Sequence, residues 1–172
     1  MIFVFTGPES TGKTTLANHF SKIANVSLVE EYARTFLENL NRDYTLEDVI
    51  EMAKTQLKME QEAIKQDATM LFLDTDLITY SIWLKVKYNT TIDWIDDAIS
   101  NQPKKHYFLC AIDVPWEPDP LREASNEKDR AALFQLYLSL LKKHQFSFTI
   151  LSGNLDERIE KCNEVIHLVE NN

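Results

Sequence analysis

The chain has 172 residues, of which 44% are hydrophobic; that supports one packed domain and excludes a disordered chain. Eighteen basic and 27 acidic residues leave a net charge of −9, which argues against nucleic acid and anionic membrane as partners and suits a cationic small molecule. No apolar run reaches the length of a membrane span, and Cys110 and Cys162 are too few for a disulfide framework, so the expectation is a cytoplasmic protein with reduced thiols.

Residues 1–5 (Met-Ile-Phe-Val-Phe) read as a buried strand. Gly7-Pro8-Glu9-Ser10-Thr11-Gly12-Lys13-Thr14 then fits the P-loop pattern G-x-x-x-x-G-K-[ST]. Residues 15–24 read as a helix, with Leu16, Phe20 and Ile23 at helical spacing. A strand, a tight loop and a helix, in that order, are the context in which the pattern carries a mechanism. The N–H groups from Gly7 to Thr15 line an anion cradle at a helix N-terminus. Lys13 reaches the β- and γ-phosphates, and the Thr14 hydroxyl ligates a metal. ATP and Mg²⁺ are the expected cofactors.

Four more apolar runs alternate with helical patterns. Strand two (26–29) ends at Glu30-Glu31-Tyr32-Ala33-Arg34. Either carboxylate there can accept a proton from a substrate hydroxyl, or serve as the acidic first turn of a helix. Arg34 is placed beside the substrate. Thr45 and Asp48 form a capping box ahead of a long amphipathic helix. Strand three (70–73) ends at Asp74-Thr75-Asp76. Asp74 is expected at the metal and Asp76 at the substrate; the other task open to them is to cap the helix over 77–88. That helix carries Tyr80, Trp83 and Tyr88, whose spacing suits a core. Glu30, Glu31 and Asp76 stay open as the base.

A short helix over 93–100 precedes strand four (107–112). Residues 113–130 hold three of the five prolines with Trp116, Arg122 and Arg130, which has the character of a lid. Arg122 is expected on the transferred phosphoryl group and Arg130 on the nucleotide. Trp116 is expected to stack on a substrate base. A helix over 129–143, strand five (146–151) and a helix over 156–169 complete an α/β fold with one parallel sheet. The four histidines are scattered and show no zinc spacing. Asn126-Glu127-Lys128-Asp129 lacks the spacing of a guanine reader.

The P-loop, Glu-Tyr-Ala-Arg (31–34), Asp-Thr-Asp (74–76), Pro-Trp-Glu-Pro-Asp-Pro-Leu-Arg (115–122) and Ser-Gly-Asn-Leu-Asp-Glu-Arg (152–158) together resemble the ribosylnicotinamide kinase domain of NadR-type NAD biosynthesis proteins. The resemblance implies a P-loop kinase fold, a three-layer α/β/α arrangement with a five-stranded parallel sheet in the order 2-3-1-4-5, making one domain over 1–172. It implies transfer of the ATP γ-phosphate to the 5′-hydroxyl of nicotinamide riboside, a small-molecule nucleoside, yielding nicotinamide mononucleotide. It makes Glu31 the leading base or ribose contact, Asp74 the metal ligand, Trp116 and Arg122 lid contacts, and the loop from Gly153 to Arg158, with Asn154 on the nucleotide, an adenine-side wall. Pro120 stands where the family commonly has glycine, which stiffens the lid. Another nucleoside or a vitamin as acceptor, and a non-catalytic ATP sensor, are the competing readings. Lys13→Ala is expected to abolish turnover; Arg122→Ala is expected to lower kcat far more than it raises the KM for ATP, and a pure KM effect would remove Arg122 from the transition state.

Overall fold

The three central strands of the sheet are apolar runs buried by helices, as parallel strands require, while the two edge strands are partly open. The computed structural model describes residues 1–23, 25–66, 68–116 and 126–170. The strands are β1 (Ile2–Thr6), β2 (Val26–Val29), β3 (Met70–Asp74), β4 (His106–Cys110) and β5 (Ser147–Leu151). They pair in parallel in the order β2-β3-β1-β4-β5, the expected one. The helices are α1 (Lys13–Phe20), α2 (Tyr32–Glu38), α3 (Leu46–Ile64), α4 (Leu77–Tyr88), α5 (Asp93–Ser100), α6 (Glu127–Lys143) and α7 (Leu155–Glu170).

The pleat sends alternate side chains to opposite faces. Phe3, Phe5, Phe72 and Phe108 therefore share one face, where they stack at 5.3–5.7 Å between centroids. Phe20 of α1 joins the stack at 5.2 Å from Phe72. Cys162 and Ile166 of α7 close that core. Val4, Leu71, Leu73, Tyr107 and Leu109 face the other way, onto α3 to α6. Each fully buried phenylalanine stabilises the fold by about 2 kcal/mol. The central strand β1 is thus clamped on both faces, and β1 is the strand that delivers the P-loop.

The ends of the elements repay attention. Thr45 and Asp48 do form a reciprocal capping box, and Arg42 pairs with Asp48 at 2.6 Å. That guanidinium, helped by the Thr45 N–H, holds the Asp48 carboxyl far below the ordinary range. Helix α6 starts at Glu127, earlier than its apolar pattern, because Asn126 caps it by accepting from the Asp129 N–H at 2.8 Å. Residues 127–130 of the expected lid are therefore helix, and residues 117–125, including Arg122, lie outside the described residues.

Asp76 corrects an expectation. Its side chain is fully buried and caps α4, accepting from the Ile78 N–H at 3.1 Å. It also accepts from Tyr107 Oη at 2.7 Å and Lys105 Nζ at 3.2 Å. Lys105 in turn donates to Glu60 of α3 at 2.8 Å. The carboxylate is committed to this buried ionic cluster and is not among the residues lining the cleft described below. A cation surrounded by two buried carboxylates is costly to remove, because both are left without a counter-charge. Lys105→Met is expected to cost about 3 kcal/mol in urea unfolding at neutral pH. Burial already raises the Glu60 pKa, and loss of Lys105 raises it further. The folded state then binds more protons than the unfolded one, so acidification to about pH 5 should recover part of the loss; a pH-independent deficit would contradict this account.

Candidate functional site

All five strands point their carboxyl ends to one edge, and the chain reverses its winding direction at β1, which places the switch point under the P-loop. A cleft of about 690 Å³ opens there, lined by every residue from Gly7 to Thr15. Gly7 has φ +131°, and a Cβ on it would lie 2.9 Å from the Cys110 carbonyl oxygen. Only glycine fits so close to β4. Gly12, with φ +82°, turns the loop into α1.

Four of the loop's carbonyls are held. Pro8 O accepts from Thr11 Oγ1 at 2.7 Å and from Lys13 Nζ at 2.8 Å. Ser10 O accepts from Arg130 at 3.1 Å, Thr11 O from Arg158 at 2.7 Å, and Gly12 O from the Leu16 N–H at 3.1 Å. Arg130 also donates to Val114 O at 3.3 Å. Its Nε has no partner among the described residues, nor has Asp74 Oδ1. Buried polar atoms without partners are uncommon away from ligand sites.

Asp74 ends β3 in register with Phe5, so it lies beside the P-loop strand. It is buried, and desolvation raises its pKa against the opposing pull of the Thr14 hydroxyl and Lys13. A buried carboxylate with an unmatched oxygen next to a hydroxyl fits a hard divalent cation, which takes oxygen ligands and keeps phosphate and water oxygens for the rest. Thr14 and Asp74 are thus brought together as expected.

Glu31 lines the cleft and Glu30 does not. The reason is Gln56, buried in α3. It accepts from the Tyr32 N–H at 2.9 Å and donates to Glu30 O at 3.2 Å, which fixes the turn from β2 into α2. The Glu31 pKa is raised, chiefly by desolvation; Lys13 opposes the shift and Asp74 adds to it. Arg34 also lines the cleft and pairs with Glu38 at 3.4 Å. Leu37, Ile82, Trp83 and Leu133 make that wall largely apolar, with Lys87 beside them.

Two further expectations meet a different structure. Asn154 is exposed and caps α7, accepting from the Glu157 N–H at 3.1 Å; its neighbour Leu155 lines the cleft instead. Trp116 is half-buried and outside the lining, whereas Val114 and Pro115 are in it. The cleft's indole is Trp83, from the helix whose aromatic spacing suggested core only. It donates to Tyr44 Oη at 2.8 Å. Gln56 carries no sequence motif, its only signal being a polar residue at an otherwise apolar helix position; Arg158 closes the 152–158 motif, which gives no sign of its bond to the Thr11 carbonyl.

A family model described as an AAA domain matches residues 2–158. The chain belongs to that family, AAA_28. The trifunctional NAD biosynthesis/regulator protein NadR of Salmonella typhimurium is 26% identical over 167 residues, covering 93% of this chain and 40% of NadR. NadR of Escherichia coli is 25% identical with the same coverage. The chain spans about two fifths of the length of these curated relatives. A crystal structure of NadR in complex with NR superposes with a TM-score of 0.75 at 20% identity, over 95% of this chain and 48% of that one. Thymidylate kinase from Ehrlichia chaffeensis superposes with a TM-score of 0.66 at 16% identity, over 98% of both chains. The fold is that of the P-loop kinases. Asp74→Asn is expected to raise the Mg²⁺ concentration for half-maximal ATP turnover by about tenfold to a hundredfold, read from magnesium titrations; an unchanged requirement would take Asp74 away from the metal.

Proposed function

We propose that residues 1–172 form one P-loop kinase domain that transfers the γ-phosphate of ATP to a nucleoside, with the 5′-hydroxyl of nicotinamide riboside as the preferred acceptor. The observation that carries this reading is Glu31, a desolvated carboxylate facing the same cleft as Lys13. A carboxylate at the acceptor suits a hydroxyl that must lose a proton, and it repels an acceptor that already bears a phosphate. The cations on the apolar wall are engaged: Arg34 pairs with Glu38, and Lys87 lies 3.6 Å from the Tyr44 ring centroid. The match to NadR and the apolar, indole-lined wall both support a flat cationic ring over a nucleobase read by hydrogen bonds.

Lys13 exchanges its bond to Pro8 O for the β- and γ-phosphates. Glu31 accepts the proton of the acceptor hydroxyl as the new O–P bond forms and the bond to ADP breaks. Arg130, with its unmatched Nε, and Arg122 are assigned to the phosphates. Thr14 and Asp74 would hold Mg²⁺, which supplies charge neutralisation on the phosphate oxygens when bound.

The test is ADP release with Mg·ATP and nicotinamide riboside, thymidine, thymidine monophosphate or no acceptor. Nicotinamide riboside is expected to stimulate turnover most. A preference for the monophosphate would make the protein a nucleotide kinase, and no stimulation by any acceptor would make it a sensor. Glu31→Gln is expected to lower kcat by about 10²-fold or more. Because the raised pKa postpones ionisation, wild-type kcat should fall on the acid side with a midpoint above the ordinary glutamate value, and the variant should lose that limb.

A further inference from the structure

We propose that Arg158 is a positioning residue of the phosphate-binding loop, orienting the Thr11–Gly12 peptide so that the Gly12 N–H faces a bound phosphate. The inference rests on the reading of residues 7–14 as a nucleotide site.

The chain has no cis peptide bonds among its described residues. In a trans peptide the C=O and the following N–H point in opposite directions. Whatever draws a loop carbonyl outward therefore turns the next N–H inward. Arg158 Nη1 draws the Thr11 carbonyl at 2.7 Å, and the N–H thereby turned is that of Gly12. A Cβ on Gly12 would lie 4.0 Å from the same nitrogen, so the guanidinium is packed directly against this peptide.

Arg158 is itself fixed from three sides. It is 2% exposed, although it belongs to the first turn of a surface helix. Its Nε donates to Gly153 O at 2.9 Å, and its Nη2 donates to Ala111 O at 3.3 Å and to Asp113 Oδ1. Asp113 Oδ2 accepts from the Gly153 N–H at 2.6 Å. The planar fork of arginine can serve the loop after β1, the end of β4 and the loop after β5 at once; lysine, a single point donor, cannot. Arg158 borders the cleft, but its Nε, Nη1 and Nη2 all donate to the chain's own carbonyls and carboxylate, which distinguishes it from a group whose donors are kept for ligand.

Three glycines make the test specific. Protein labelled with ¹⁵N-glycine gives one backbone amide signal each for Gly7, Gly12 and Gly153. In the wild type, Mg·AMP-PNP is expected to move the Gly12 signal strongly. In Arg158→Met the free Gly12 signal should sit elsewhere, its response should shrink, and the calorimetric Kd for Mg·AMP-PNP should rise by about tenfold or more. Arg158→Lys should fall between the two. Asp113→Asn, which loosens the guanidinium without emptying buried space, should shift Gly12 the same way by less, and keeps the test available where Arg158→Met does not fold. A folded Arg158→Met, or an Asp113→Asn, with wild-type Gly12 response and Kd overturns the inference, whatever its thermal stability. A wild-type protein whose glycine signals ignore Mg·AMP-PNP overturns the proposed function along with it.

Discussion

A loop that is to bind anions through its N–H groups, as proposed for residues 7–15, has to place its carbonyls somewhere else, and the residues around it meet that requirement. Carbonyl oxygens left facing the cleft would repel phosphate. Here four are tied back: Pro8 by Lys13 and Thr11, Ser10 by Arg130, Thr11 by Arg158, and Gly12 by the first turn of α1. The two arginines come from α6 and α7, far along the chain, so the cradle is completed only when the last helix docks. The Lys13 bond differs from the others in kind. It occupies the cation that phosphate would claim, and it is exchangeable without moving the backbone.

Desolvation is the second theme of the carboxyl edge. Asp74 and Glu31 are both drawn upward in pKa by burial, and both are opposed by Lys13. Their environments diverge in what they touch. Asp74 meets a hydroxyl and keeps an unmatched oxygen, which suits a metal; Glu31 faces an apolar wall, which suits proton transfer. Cys110, directly under the loop, is kept out of this chemistry because burial pushes its thiol up to about 11. The buried cluster of Lys105, Glu60, Asp76 and Tyr107 lies on the helical side of the same strand end. It anchors the start of α4 while Thr75, at φ +85°, donates its N–H to Phe5 O at 3.1 Å. Asp74 is thus held between a strand register and an ion cluster, which leaves its carboxylate little freedom.

Much was legible in one dimension because it depends on local rules. Apolar runs of four to six residues bounded by turn residues marked all five strands, and the Thr45–Asp48 capping box marked the start of α3 to the residue. The P-loop is legible for the same reason: its glycines meet backbone demands that no other residue meets, so its chemistry and its spelling coincide. The position of Asp74 beside the P-loop strand was readable because a carboxylate that closes an apolar run falls at the carboxyl end of a buried strand. The start of α6 was missed because an Asn cap is a single polar letter among many.

What only the tertiary structure decided is which of several equivalent letters faces the cleft. Glu30 and Glu31 are indistinguishable in sequence; Gln56, from a helix 26 residues away, selects Glu31 by holding the turn between them. Asp76 and Asn154 spell ligand contacts and act as helix caps, because a capping side chain and a binding side chain use the same atoms. Trp83, and not Trp116, lines the cleft, and Arg158 turns inward onto a carbonyl 147 residues distant. The chain alone therefore determined the fold and the anion cradle, where backbone geometry dictates residue type. Packing determined the orientation of every polar group whose partner lies on another element, since a sequence records the partners but not the angle at which they meet.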